Sequence, residues 1–319
     1  MSTQRVIVDT DTAGDDTQAI LLSVLSERAT VEGLTMVAGN VEFDREVENA
    51  KYTLELADAA DDVPVYEGAR QPLLKEYEHA DYVHGEGGLG GDLFPETGID
   101  SAEGFGPDFI VETARDHPGE VSLLCIGPLT NVALALRREP ELNELLDEVW
   151  VMGGAVNCGG NVTPAAEYNF WVDPDAAKVA LRELDVHLVD WGLCLEASLI
   201  PGEDFERIRG YDTELSEFFL ELAGPVREFT RDEQGVDGAT SPDTLAAACM
   251  LAPELREEVG TYHADVDERE GLTRGYSTVD VDGVTDGEAR TTVVHEADHD
   301  LFLAMVDGLL EERDPDRPL

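Results

Sequence analysis

Over its first two thirds the chain alternates two patterns of apolar residues. Short, nearly continuous apolar runs at Arg5–Asp9, Val31–Ala38, Val63–Glu67, Val121–Gly127, Glu148–Gly153 and Asp185–Gly192 read as strands buried on both faces. Between them, apolar residues recur every three or four positions at about Asp16–Arg28, Asp44–Ala60, Phe105–His117, Leu129–Arg138 and Asp175–Leu184, the spacing of helices with one packed face. Strand and helix repeated in this way predict an α/β fold with a largely parallel central sheet flanked by helices, whose ligands bind at the carboxyl ends of the strands. After Pro201 the pattern becomes mostly helical, through Leu215–Arg231 and Ser241–Met250. Tyr276–Val281 and Ala289–Val294 then read as a late hairpin around Asp282–Gly287, and a closing helix runs from about Asp298 to Leu310. With no linker, repeat or low-complexity break, a single domain over residues 1–319 is expected. Two loops, Gln71–Gly104 and Ala155–Phe170, have the length usual in lids and binding loops.

Charge narrows the partners. The 319 residues hold 21 Lys and Arg against 70 Asp and Glu, a net charge of −49, and the only lysines are Lys51, Lys75 and Lys178. Such a surface repels phosphate backbones and anionic lipid, which disfavours nucleic-acid binding and membrane-surface roles. An acid-rich, lysine-poor coat suits the salt-filled cytoplasm of a halophile, where screening removes the self-repulsion. Cys125, Cys158, Cys194 and Cys249 have no short metal-binding spacing, and Cys125 and Cys194 sit in apolar strand-like runs, so reduced thiols are expected. The first apolar run, Val6–Val8, comes too early for a signal peptide, and no run approaches the roughly 18 apolar residues of a membrane span. A soluble, cytoplasmic protein is the expectation.

The segment Asp9-Thr10-Asp11-Thr12-Ala13-Gly14-Asp15-Asp16 follows a buried strand and opens a helix, and four of its eight residues are carboxylates. Asp9 and Asp11, two apart on a strand, share one face, while Asp15 and Asp16 sit where a helix N-terminus welcomes negative charge. Carboxylates gathered at a strand end repel unless a cation joins them, and an all-oxygen shell suits Ca²⁺ or Mg²⁺ rather than zinc or copper. Helix capping in an acid-rich chain is the plainer alternative. A haloacid-dehalogenase-like phosphatase opening is disfavoured by Ala13 at its fifth position and by the doubled Asp15-Asp16. Neither a Gly-x-Ser-x-Gly elbow nor a Gly-x-x-x-x-Gly-Lys-Ser/Thr loop is present.

These residues resemble the opening Asp-x-Asp-Pro-Gly-x-Asp-Asp of the inosine-uridine nucleoside N-ribohydrolases. Further matches follow in that family's order: Val37-Ala38-Gly39-Asn40, His84-Gly85, Gly127-Pro128-Leu129-Thr130-Asn131, Met152-Gly153-Gly154, Gly160-Asn161, Pro164–Asn169, Asp173-Pro174, Asp243 heading a helix, and Thr273–Tyr276. The resemblance implies a Ca²⁺ site made by Asp11, Asp16, the Thr130 carbonyl and Asp243, with Asp11 also general base to a water held on the ion. It implies that Asp15, Asn40, Glu167 and Asn169 hold ribose hydroxyls, and that Asn161 and Met152 complete the sugar pocket. The implied reaction is hydrolysis of a small-molecule ribonucleoside to ribose and base, by a homodimer or homotetramer.

Four positions depart from the family pattern. Thr12-Ala13-Gly14 replaces the usual Pro-Gly-x turn, Gly87 stands where Asp or Thr is common, and Cys194 stands where Asp is common after the sixth strand. Pro242 precedes Asp243 where the best-known members carry a histidine associated with protonating the departing base. Proline has no proton to give. Among the seven histidines His84, in a glycine-rich loop expected over the strand ends, is the candidate for that step. A metal-dependent phosphohydrolase and a non-catalytic nucleoside-binding relative are the alternatives. Base preference is not readable, because the segments around His84 and Tyr211–Asp237 match the family least.

Overall fold

Val6, Ile7 and Val8 are fully buried, and their side chains alternate between two hydrophobic clusters on opposite faces of one sheet. The computed structural model describes residues 3–90 and 93–319. The run around Val6–Val8 forms the strand β1 (Gln4–Thr10), followed along the chain by β2 (Ala29–Met36), β3 (Val65–Glu67), β4 (Val121–Cys125), β5 (Leu146–Met152) and β6 (Val186–Val189). They lie side by side in the order β3-β2-β1-β4-β5-β6, all parallel, and the sheet is completed by Thr291–Ala297 parallel to β6 and Arg256–Tyr262 antiparallel at the edge. From β1 the chain winds first toward β3 and then, from β4, the opposite way. Such a reversal opens a crevice above the carboxyl ends of β1 and β4, where ligands of doubly wound sheets bind.

Helices cover both faces. The first, α1 (Asp16–Leu25), buries Ile20, Leu21 and Leu22 against the side of the sheet that also holds Val6 and Val8. The second, α2 (Phe43–Leu56), places Phe43, Val47, Ala50 and Leu54 on the same cluster, the three-and-four spacing of a single helix face. Helices Gly106–Asp116, Thr130–Arg138 and Pro174–Glu183 cover the other side through Ile110, Val132, Leu136, Ala180 and Leu181. No helix among the described residues is long and apolar enough to cross a membrane. The four cysteines are unpaired, with Cys125, Cys194 and Cys249 buried.

Each of the six early strands expected from the apolar pattern is present, and the α/β class holds. The C-terminal part differs. Tyr276–Val281 and Ala289–Val294 do not pair with each other: Ser277–Val279 pairs with Ala264–Val266, while Thr291–Ala297 enters the central sheet. The outer strand Arg256–Tyr262 gave no apolar signal because it is a sheet edge, with Glu257, Glu258 and Val259 all exposed. Charge on an edge strand discourages pairing with other chains. Cys194 lies on a helix, Trp191–Ala197, rather than a strand: β6 ends at Val189, and Asp190 caps the helix by accepting from the amides of Gly192 and Leu193.

Candidate active site

The turn after β1 is built by its own polar side chains. The strand ends at Thr10, so Asp11 lies just beyond it rather than on a shared face with Asp9. Asp9 belongs to a separate buried network, accepting from the Thr35 hydroxyl at 2.6 Å and the Asn131 amide at 2.7 Å. Asp11 and Asp16 are both buried. Asp16 accepts from the Thr10 hydroxyl at 2.6 Å and the Ala13 amide at 3.2 Å. Asn40, at the end of β2, ties the two acids together: its backbone N–H donates to Asp11 Oδ2 at 3.0 Å and its side-chain amide to Asp16 Oδ2 at 3.2 Å. A Cβ at neighbouring Gly39 would fall 1.9 Å from Asp11 Oδ2, so only glycine lets β2 come this close. Asp243, in the first turn of the helix Pro242–Leu251, donates its backbone N–H to Asp15 Oδ2 at 2.9 Å.

Above these carboxylates lies a cavity of about 530 Å³. Asp15, Asn40, Met152, Asn161, Glu167, Asn169, Asp243 and His84 all line it. Glu167 caps the short helix Tyr168–Val172, accepting from the backbone amides of Gly154, Asn169 and Phe170 at 2.8 Å, 2.9 Å and 3.3 Å. Asn169 donates to the carbonyls of Ile126 and Met152 at 3.1 Å and 3.2 Å, which leaves its oxygen for a ligand. Asn161 accepts from the Tyr168 amide at 2.9 Å and keeps its NH₂ for one. The polar side thus offers mainly acceptors, with one amide donor, to whatever enters. That inventory suits a ligand rich in hydroxyl groups.

Asp11, Asp16 and Thr130 do not reach the cavity wall; they lie behind it. Thr130 starts its helix at the end of β4 and fixes itself by donating to Asp173 at 2.7 Å. Among the described residues no group of three or more His, Cys, Asp and Glu side chains is spaced as a metal site. The donor set nevertheless fits a hard cation. Asp11 Oδ1 is buried without a hydrogen-bond partner. No Lys or Arg forms an ion pair with Asp11, Asp15, Asp16, Glu167 or Asp243 among the described residues. Burial and mutual repulsion push all these acids upward: Asp11 well above its ordinary value, through burial and then Asp16 and Glu46; Asp15 to about 7, through burial and then Asp16; Asp16 to about 6 and Glu167 to about 7, through burial. Asp243 rises through burial and then Asp15 and Asp16. A divalent cation would relieve that repulsion.

Sequence reasoning missed two sets of residues. Glu46 is fully buried in α2, and its Oε1 accepts from the amides of Gly39 and Val41, each at 3.0 Å, cradling the turn that carries Asn40. An acid on the apolar face of α2, between Phe43 and Ala50, was the available signal. The second set, Trp191 and Leu195 with Thr240, belongs to the apolar wall of the cavity, which it shares with Pro242 and with Val83, Val226 and Thr230 from the segments around His84 and Tyr211–Asp237. Trp191 was hidden by reading the strand through to Gly192. Both long loops contribute, Gln71–Gly104 through Ala80, Val83 and His84, and Ala155–Phe170 through Gly159, Gly160, Asn161, Glu167 and Asn169.

An acceptor-rich, carboxylate-backed crevice at the reversal point of a doubly wound sheet defines an α/β protein that takes a hydroxyl-rich small molecule. The sequence profile described as inosine-uridine preferring nucleoside hydrolase matches residues 6–304, and the chain belongs to that family. Its members hydrolyse the N-glycosyl bond of ribonucleosides, and this chain is an enzyme of that kind. A pyrimidine-specific ribonucleoside hydrolase RihA of Citrobacter koseri is 34% identical over 310 residues, 97% of each chain. Among solved structures, the plant nucleoside hydrolase PpNRh1 superposes with a TM-score of 0.89 at 28% identity, over 98% of this chain and 99% of that one. A purine-preferring ribonucleoside hydrolase from Gardnerella vaginalis superposes with a TM-score of 0.88 at 27% identity, over 97% and 99%.

Proposed function

We propose that the enzyme is Ca²⁺-dependent, with Asp11, Asp16, the Thr130 carbonyl and Asp243 holding the ion and Asp11 acting as general base. The observation that carries this reading is the buried carboxylate cluster, which has no basic partner among the described residues and is centred on an Asp11 oxygen that none of them satisfies. When bound, the ion supplies positive charge that lowers the pKa of water and orients it. Asp15, Asn40, Glu167 and Asn169 bind the ribose hydroxyls, and Met152 and Asn161 close the sugar pocket. As the C1′–N bond breaks, positive charge develops on the sugar, and the carboxylate and amide oxygens around it stabilise that charge. Water adds to C1′, and its proton passes to the Asp11 carboxylate. His84 stands on the cavity wall to assist the departing base.

The relatives' printed specificities include both pyrimidine and purine nucleosides, so the test uses inosine, uridine and cytidine in high KCl. Base release is expected with Ca²⁺ and not after exhaustive chelation, with recovery when Ca²⁺ is returned. Undiminished release after chelation, with no calcium retained by the purified protein, would discard the metal assignment.

A further inference from the structure

His84 ends the short helix Asp81–His84 in the long loop between β3 and β4. One edge of its ring packs on the turn after β1. A Cβ built on Gly14 would fall 2.5 Å from His84 Nδ1 and 2.8 Å from Cε1, and Gly14 holds a positive φ of 46°. Nδ1 is buried there and has no hydrogen-bond partner. The carbonyl of Gly14 itself already receives the Thr17 hydroxyl at 2.6 Å. Nε2, by contrast, is not sealed in this way and makes no bond to the described residues, so it is the nitrogen open to the cavity that His84 lines.

This asymmetry decides which proton states the ring can hold. An imidazolium carries an N–H on both nitrogens, and here one of the two would be sealed against Gly14 with nothing to receive it. A buried unpaired N–H is rarer than an unfilled acceptor, so the neutral ring keeps its proton on Nε2. Burial alone acts in the same direction, pushing the imidazole down to about 4. The ionisable groups around it are Asp15 and Asp16 of the Gly14 turn, Glu86 of its own loop, Glu221 on the helix Glu214–Phe229 packed against that loop, and Glu167 and Asp243 across the cavity. None of them hydrogen-bonds the ring among the described residues.

We infer that His84 serves the leaving group as a neutral hydrogen-bond donor through Nε2–H, not as an acid that transfers its proton. The inference rests on the nucleoside-hydrolase reading and specifies the step that Pro242 leaves open. The C1′–N electron pair passes to the base nitrogen, water oxygen bonds C1′, and one water proton goes to Asp11. The departing base leaves as an anion whose ring nitrogen or carbonyl oxygen accepts the Nε2–H bond, and it takes its proton from solvent afterward. The ring returns unchanged, with no reprotonation step.

A glutamine side chain can supply an N–H near Nε2 but cannot act as an acid, which separates the two roles. With the native enzyme active on inosine or uridine, His84→Ala is expected to lower kcat by at least about tenfold, with little loss on p-nitrophenyl riboside, whose leaving group needs no donor. His84→Gln is expected to recover nucleoside turnover to within about fivefold of native. Long-range ¹H–¹⁵N spectra of the native protein should give one protonated and one bare nitrogen for His84 from pH 6 to 8. A glutamine variant as slow as alanine, no loss in the alanine variant, or an imidazolium signal near neutrality would overturn the inference. Absence of nucleoside cleavage by the native enzyme with Ca²⁺ would instead strike the underlying hydrolase reading.

Discussion

The two sides of the cavity are made in different ways. On the polar side, Asp15, Asn40, Asn169 and Asp243 stand beside strand ends and helix starts, and hydrogen bonds to backbone groups fix the side chains of Asp15, Asn40 and Asn169. On the apolar side, Val83, Trp191, Leu195 and Val226 come from the loop before residue 104 and from two helices of the C-terminal half, and Leu195 is 39% exposed. One side is tied to the sheet; the other is laid over it. The difference means that the polar groups cannot move without disturbing the fold, whereas an exposed residue of the opposite wall such as Leu195 can change at little structural cost. On the proposed reading the chemistry belongs to the first side, and substitutions on the second test whether the choice of base belongs there.

The sharpest way to break this division is Asp11→Asn. Saturated with Ca²⁺, the variant is expected to lose turnover on every nucleoside alike, by about 10²-fold or more, the range for loss of a general base. Near-native kcat at saturating metal would move the base elsewhere. Gly39→Ala tests the tie to the sheet. The added methyl must displace Asp11, and overpacking of this kind costs roughly 1–3 kcal/mol, so thermal unfolding should shift downward and activity should fall with it. An unshifted midpoint with full activity would show that the strand end yields freely.

Smaller effects are expected from the opposite wall. Leu195→Ala should change the ratio of kcat/KM between purine and pyrimidine nucleosides by about tenfold, the scale of a few methylene groups in a pocket, and leave the unfolding midpoint near native. Equal loss on all bases would assign Leu195 to the sugar side. The smallest effect on the site should come from salt. Lowering KCl from about 1 M to 0.1 M stretches the Debye length from about 3 Å to 10 Å. With a net charge of −49 the unfolding midpoint should drop, while kcat/KM for an uncharged nucleoside stays nearly level wherever the protein remains folded. A midpoint that holds or rises would reject the halophilic reading of the composition.

The same division governs what could be read in advance. The early strands announced themselves because a parallel sheet buried on both faces demands continuous apolar runs, as at Val6–Val8 and Val121–Cys125. Asp11 and Asp15 drew notice because an acid after an apolar run or before a helical one is marked locally, whereas Asn40 and Asp243 became candidates only through the family resemblance. Trp191 and Leu195 were not legible, since nothing local separates an apolar residue facing a cavity from one facing the core. Glu46 escaped for the opposite reason: in a chain with 70 acids, one more on a helix draws no notice until its burial is known. The edge strand Arg256–Tyr262 had too few apolar residues to show a period.

Thr291–Ala297 lies between β6 and the outer strand, and its Thr291 pairs with Val186, more than a hundred positions earlier. During synthesis the sheet therefore cannot close until Thr291–Ala297 has left the ribosome. Until then β6 has an open edge, and Arg256–Tyr262 has been made before the strand it needs. Contacts this distant in sequence form slowly, and exposed strand edges in the interval invite association with other chains. The acidic coat that surrounds the finished protein also surrounds that unfinished one, and mutual repulsion keeps nascent copies apart while they wait for their last strand.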